Sequence, residues 1–174
     1  MQNRTLRQLT AAGVIAAAYA ALSLVLAPIT FGPVQCRISE ALTLLPVISP
    51  AAIWGVTLGC AVTNGVGAAT GANFLGLVDL PVGTAATLLA AVATRLLGKI
   101  RFGGLPWLSA LPPILINAVA IGGEWCYAMT GSINGTFWVF AGQIALGQLP
   151  PCLLGVWLVG LLERRSLQTI IEGK

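Results

Sequence analysis

The sequence predicts an all-α integral membrane protein: one domain over residues 1–174, a bundle of six transmembrane helices with both termini cytoplasmic. Three observations predict it. Of the 174 residues, 57% are hydrophobic and only 8% charged, with a mean hydropathy of +0.91, whereas a soluble domain carries about 25% charged residues. The apolar residues fall into six segments punctuated by Pro and Gly. The cations cluster before the first segment (Arg4, Arg7), in one linker (Arg95, Lys99, Arg101) and after the last segment (Arg164, Arg165, Lys174), which is the positive-inside pattern. The net charge of +4 and pI near 9.2 therefore reflect membrane orientation and not a nucleic-acid partner. Nothing remains for a catalytic head or a nucleotide-binding cassette, so any energy source is a gradient or a partner.

The first segment, about Arg7–Ala27, stops at Pro28. Its basic flank and apolar run have the form of a signal peptide. The run nevertheless extends about 20 residues, enough to span, and lacks a convincing A-x-A cleavage site, so a retained helix is expected. Ala12, Ala16 and Ala20 form one stripe along it, with Gly13, Ala17 and Ala21 beside them. Small residues four apart let another helix approach closely, either within the chain or from a partner.

The second segment, about Arg37–Ile48, is short for a span and contains Pro46. The third, about Pro50–Ala69, starts at a proline suited to the first helical position and carries Gly55, Gly59, Gly65, Gly67 and Asn64. A Gly-rich loop with Asn73 and Asp79 leads to the fourth, opened by Pro81. The fifth, about Leu105–Met129, holds Pro112-Pro113, Asn117 and Glu124. The sixth, about Phe137–Leu162, holds Gln143, Gln148 and Pro150-Pro151. No repeat of fixed period is visible.

One stretch breaks this apolar pattern. Phe31–Pro46, FGPVQCRISEALTLLP, sets Gln35, Arg37, Ser39 and Glu40 between apolar segments. In a helix, Arg37 and Glu40 share a face. A charge inside a bilayer costs about 2.5–3.5 kcal/mol on insertion scales, so it faces a cavity, a partner or water. With the N-terminus inside, Arg37, Glu40, Asn64, Asp79, Thr84, Thr87, Glu124 and Gln143 all fall toward the outer side. Gln148 is deepest. The preceding loop, Ile29–Cys36, is itself apolar, which suits a cover folded over that site.

The residues also limit the chemistry. With no histidine in the chain, histidine general-base catalysis and histidine metal sites are excluded. There is no G-x-S-x-G, H-E-x-x-H or P-loop pattern. Cys36, Cys60, Cys126 and Cys152 form no C-x-x-C pair and read as free thiols, a Cys36–Cys126 disulfide at the outer face being the competing option. No catalytic role, metal or cofactor is expected. Binding or transport remains.

Glu40, Asp79 and Glu124, opposed by Arg37, suit a cationic or donor-rich ligand. A carboxylate takes two hydrogen bonds from the N–H edge of a guanine-like ring. Trp125, Tyr127, Phe137 and Trp138 are placed to stack on a flat heterocycle, with an aromatic interface belt as the competing role. Each polar residue has a structural alternative: an Arg37–Glu40 ion pair, an N-cap for Asp79, and helix cross-links for Asn64, Asn117, Gln143 and Gln148.

Beyond these residue-level readings, the chain resembles the queuosine-precursor transporter family, substrate-binding (S) components of energy-coupling-factor (ECF) importers. Val34-Gln35-Cys36-Arg37-Ile38-Ser39-Glu40-Ala41-Leu42 and Leu45-Pro46 are close to that family's Q-F-R-x-S-E-A-L pattern. Asp79-x-x-x-Gly83-Thr84-Ala85-Ala86-Thr87-Leu88 and Leu111-Pro112-Pro113 with Asn117 extend the likeness over nearly the whole chain. The resemblance implies a six-helix S component in a prokaryotic cell membrane that binds preQ1 or queuine, a 7-deazaguanine, from outside. Gln35, Arg37, Glu40, Asn64, Asp79, Asn117, Glu124, Trp138, Gln143 and Gln148 are the candidate substrate-binding residues. It further implies no enzymatic activity in this chain and docking, through the Ala12, Ala16 and Ala20 stripe, to a transmembrane coupling subunit with two ATPase subunits. The loaded component then topples to release substrate inside. Cys36 stands where the pattern has an aromatic, and Gln148 where it has an acidic residue; both bear on specificity. An S component for another water-soluble vitamin and a solitary secondary transporter are the alternative readings.

Overall fold

The computed structural model describes residues 2–32 and 34–164. Arg165 and Lys174 of the basic tail lie outside the described residues, as does Pro33 of the Phe31–Pro46 stretch. The described chain is helical with no β-strand; the only pairing of that kind is an isolated bridge between Phe102 and Leu105. Helix α1 spans Gln2–Val25, the single turn α2 Ala27–Thr30, α3 Ala51–Thr70, α4 Asp79–Leu97, α5 Leu111–Thr130 and α6 Phe137–Arg164.

Between α2 and α3 the chain forms a ten-residue 3₁₀ helix, Ile38–Val47. Five segments, not six, are long and apolar enough to cross a membrane: α1, α3, α6, and the fourth and fifth segments counted with their short 3₁₀ lead-ins (Gly76–Leu97 and Trp107–Thr130). Among the described residues the second expected segment is apolar but shorter than these, at Ile38–Val47. The second segment stays short because the chain reaches it in extended conformation at Arg37 (φ −90°, ψ 97°), and Pro46 withholds a backbone donor near its other end. A 3₁₀ helix rises about 2.0 Å per residue, so these ten residues cover about 20 Å of a hydrocarbon layer about 30 Å thick.

Contacts fix the directions. Gly55 lies against Ala12 and Ile15, and Gly59 against Ala16 and Tyr19, so α1 and α3 run parallel. A Cβ on Gly59 would sit 2.7 Å from the Tyr19 Cβ, so glycine is what brings these two helices together. Gly147 and Gly155 of α6 meet Gln35 and then Ala41 and Leu44, making α6 parallel to the 3₁₀ helix. Asn64 and Cys60 of α3 reach Asp79 and Gly83 of α4, an antiparallel pair, and Gly122 of α5 backs onto Ala141 of α6.

Two ends of different chemistry result. At one, Arg95, Lys99, Arg101 and the N-terminus of α1 gather, with Arg101 bidentate to Glu163 at 2.8 Å. The core sits toward this end and is organised around Leu44, Leu45 and Ile48, packed by Ile15, Val56, Ala91, Ile114 and Val156. The other end, where α1, α3 and α5 finish and α4 and α6 begin, holds the polar residues. The chain is thus a multi-pass membrane protein with a hydrophobic waist and one polar interior end.

Candidate functional site

The polar interior starts from the 3₁₀ helix. In that geometry residues three apart eclipse, yet Arg37 and Glu40 do not pair, because Arg37 is the extended residue before the first turn. The Arg37–Glu40 ion pair, the structural alternative to ligand contact, is therefore replaced by two separate contacts. Arg37, 5% exposed, turns toward α3 and α4: its Nη2 donates to Asn64 Oδ1 at 3.3 Å and lies 4.0 Å from Asp79 Oδ2, and Nη1 lies 3.7 Å from Cys60 Sγ. The guanidinium also sits 5.7 Å above the Phe31 ring, within range of a cation–π attraction. Phe31 can lie there because Gly67 offers no side chain to obstruct it.

Glu40, 1% exposed, turns the other way and accepts from the Tyr19 hydroxyl at 2.6 Å. Ser23 and Ser39 join α1 to the 3₁₀ helix at 2.5 Å just above. Asp79 is the first residue of α4, and Val78 occupies the N-cap position, so the capping role that competed with ligand contact is not its function in the fold. Its Oδ2 accepts from Asn73 Nδ2 at 2.7 Å, and its backbone carbonyl accepts from Asn64 Nδ2 at 2.9 Å. Asp79 thus ties the loop after α3, the Arg37 loop and helix α4 into one network.

Buried polar groups are ordinarily hydrogen-bonded. Here many are not. The side-chain atoms without a protein partner include Gln35 Nε2, Arg37 Nε, Glu40 Oε2, Asp79 Oδ1, Thr84 Oγ1, both Glu124 carboxylate oxygens, Trp125 Nε1 and Gln143 Oε1. Most belong to the same end of the bundle, and Glu124 lies near enough to Asp79 for their carboxylates to interact. An unsatisfied buried donor or acceptor costs about 1–3 kcal/mol, more for a charged group. These atoms make this end of the bundle the place where a polar group could still be accommodated by hydrogen bonding.

Of the ten candidate substrate-binding residues, Gln35, Arg37, Glu40, Asn64, Asp79, Asn117 and Gln148 are buried, and Glu124 and Gln143 are half-buried with buried polar atoms. Asn117 makes no side-chain hydrogen bond to another described residue, and Gln148 meets only the Cys152 thiol, at 3.9 Å. Trp138 is 77% exposed, outside this cluster, with Phe137 edge-on to it at 5.1 Å. Tyr127 is exposed as well. Both match the belt reading better than a stacking role. Trp125 alone of the four aromatics is buried, but Phe74 and Phe140 cover its two faces at 5.2 and 6.2 Å. It offers its indole N–H edge rather than a stacking face.

The sequence reading missed Tyr19, whose hydroxyl holds Glu40, and Asn73, buried and bound to Asp79. Tyr19 sits two helical turns inside a run of alanines, and its role depends on a partner 21 residues away. A phenol amid small apolar residues was the available signal. Of the two roles open to the stripe Ala12, Ala16 and Ala20, the packing within the chain is seen: Ala16 and Ala20 are buried and Ala12 half-buried, with the Ala12 and Ala16 carbonyls against α3, while Gly13, Ala17 and Ala21 face outward. Among the described residues the cysteines are free thiols, so a Cys36–Cys126 disulfide is absent. No group of three or more described Cys, Asp or Glu residues could hold a metal ion.

The polar cluster can bind a small ligand that both donates and accepts hydrogen bonds, with a bias toward donors. It holds three carboxylates against one guanidinium. No curated protein and no solved structure matches the chain. A family model does: that of the QueT transporter, over residues 9–164. That match takes in every candidate residue named above and nearly the whole described chain, and by it the protein belongs to the QueT transporter family.

Proposed function

We propose that the chain is the substrate-binding component of an ECF-type importer and captures a 7-deazaguanine queuosine precursor, preQ1 or queuine. In this reading the polar end faces outward, both termini are cytoplasmic, and the 3₁₀ segment takes the place of the sixth crossing. The observation that carries it is the Glu124 carboxylate, whose two buried oxygens accept no hydrogen bond from another described residue. Two adjacent N–H donors on the edge of a guanine-like ring would satisfy both oxygens together. The aminomethyl cation of preQ1 then finds Glu40 Oε2 and Asp79 Oδ1, and a ring carbonyl finds Gln35 Nε2, Arg37 Nε or Trp125 Nε1. Asn64, Asn117, Gln143 and Gln148 complete the walls. Capture by this chain involves no bond-making, and ATP hydrolysis belongs to partner ATPase subunits reached through a coupling subunit. The outward stripe Gly13, Ala17 and Ala21 is the part of α1 free for such a contact, next to the Ala12, Ala16 and Ala20 stripe that α3 covers.

Titration of the purified protein with preQ1 and queuine, followed by tryptophan fluorescence, tests the assignment. Micromolar or tighter binding is expected. No response to either compound, together with tight binding of an unrelated vitamin, would overturn the substrate class. Uptake by the chain alone that collapses with the proton gradient would overturn the ECF assignment and make it a secondary transporter.

A further inference from the structure

The opposite end of the molecule carries a second feature, unconnected with the polar cluster. α1 packs on α3 and on the 3₁₀ helix rather than on α6. A groove of about 610 Å³ is left between α1 and α6, floored by Leu42 and Leu45 and walled by Val14, Leu158 and Leu162. The 3₁₀ helix is the cause: it is too short and narrow to hold its two neighbours together along their length. Arg7 is the one charged residue in the lining, at the mouth, and it forms no ion pair or hydrogen bond with another described residue. Arg4 lies three residues before it, on the same side of α1.

We infer that this groove is a binding site for one anionic phospholipid, its acyl chain against Leu42, Leu45, Val14 and Leu158 and its phosphate at Arg7. The dimensions agree. From Arg7 to Ile15, at 1.5 Å per residue, the lining descends about 12 Å, close to the half-thickness of a hydrocarbon core about 30 Å deep. A cation at the bilayer surface with a trough of aliphatic carbon beneath it complements a ligand that is charged at one end and apolar along the rest. Arg7, set at this face by the positive-inside pattern, gives the trough a cationic end that an anionic headgroup complements and an apolar partner helix does not. Juxtamembrane cations attract anionic lipid by about 1 kcal/mol each, which is about fivefold in retention.

Native mass spectrometry of the full chain released from detergent, after incubation with dioleoylphosphatidylglycerol or dioleoylphosphatidylcholine, tests this. The expected result is preferential retention of phosphatidylglycerol. Arg7→Gln, at an exposed helical position, should cut that preference about fivefold, and Val14→Trp, which fills the groove from its exposed wall, should abolish retention of both lipids. Equal retention of the two lipids by the unaltered chain, or an undiminished preference in Arg7→Gln, overturns the site. So does a dimer that Val14→Trp dissolves while lipid retention is unchanged, because the groove then serves a second copy of the chain.

Discussion

Replacing Glu124 by Gln separates binding from folding in a way few positions here allow. Among the described residues no N–H or hydroxyl group donates to either buried carboxylate oxygen, so the substitution costs the fold no such bond. It also removes one of two neighbouring acidic groups, the other being Asp79. The ligand-free protein should therefore melt at the same temperature as the parent or slightly higher. Binding is different. A hydrogen bond to a charged group contributes about 1.5–3 kcal/mol, and the amide keeps one acceptor while turning the other into a donor. The loss of one charged bond predicts an affinity for the proposed 7-deazaguanine lower by about 10- to 150-fold. Isothermal titration calorimetry measures the affinity, and a thermal shift series in the same detergent measures stability. An unchanged Kd with a melting temperature lower by several degrees would falsify the reasoning, since Glu124 would then support the fold and not the ligand.

Other perturbations are expected to behave differently. Arg37→Ala leaves Asp79 buried without its countercharge, a loss of about 3–5 kcal/mol in stability, whereas the double change with Asp79→Asn should recover much of that in denaturant titrations. Tyr19→Phe strips Glu40 of its hydroxyl donor and should cost about 1–3 kcal/mol, read as a lower melting temperature that added ligand partly restores. Gly122→Ala would place a Cβ 2.8 Å from the Ala141 Cα and force α5 from α6, costing about 1–3 kcal/mol. Its neighbour Gly123→Ala, with open space around it, should be neutral or stabilising by about 0.5–1 kcal/mol, so the pair together check the α5–α6 contact by thermal melting.

The helical class, the positions of the long segments and the gathering of polar residues at one end were legible from composition and from the spacing of cations and prolines. These are local or one-dimensional signals. Arg37 and Glu40 were legible as exceptional residues, but not their partners. Choosing Asp79 over Glu40 for Arg37 depends on one backbone residue being extended where periodicity suggests a helix. The second segment looked like a short span because apolar content does not distinguish an α-helix from a 3₁₀ helix. The alanine stripe gave a true sign of close helix packing, but small residues recur on adjacent stripes of α1, and only the glycines of α3 decide which stripe is covered. Trp138 and Trp125 are equally apolar in the sequence. One faces out and the other is enclosed by Phe74 and Phe140, a contrast set by rotation of separate helices.

The network at Asp79 also bears on rates. The loop before the 3₁₀ helix is attached to Asp79 through Arg37, and the loop after α3 is attached through Asn73. Both loops therefore share one anchor, and neither can swing away from α4 without disturbing the carboxylate that holds the other. On the proposed function, the two loops are therefore expected to open together when a ligand arrives or departs. Loosening the anchor on the Asn73 side should speed association and dissociation by similar factors while their ratio barely moves. Backbone amides of the two loops should exchange with deuterium at matching rates.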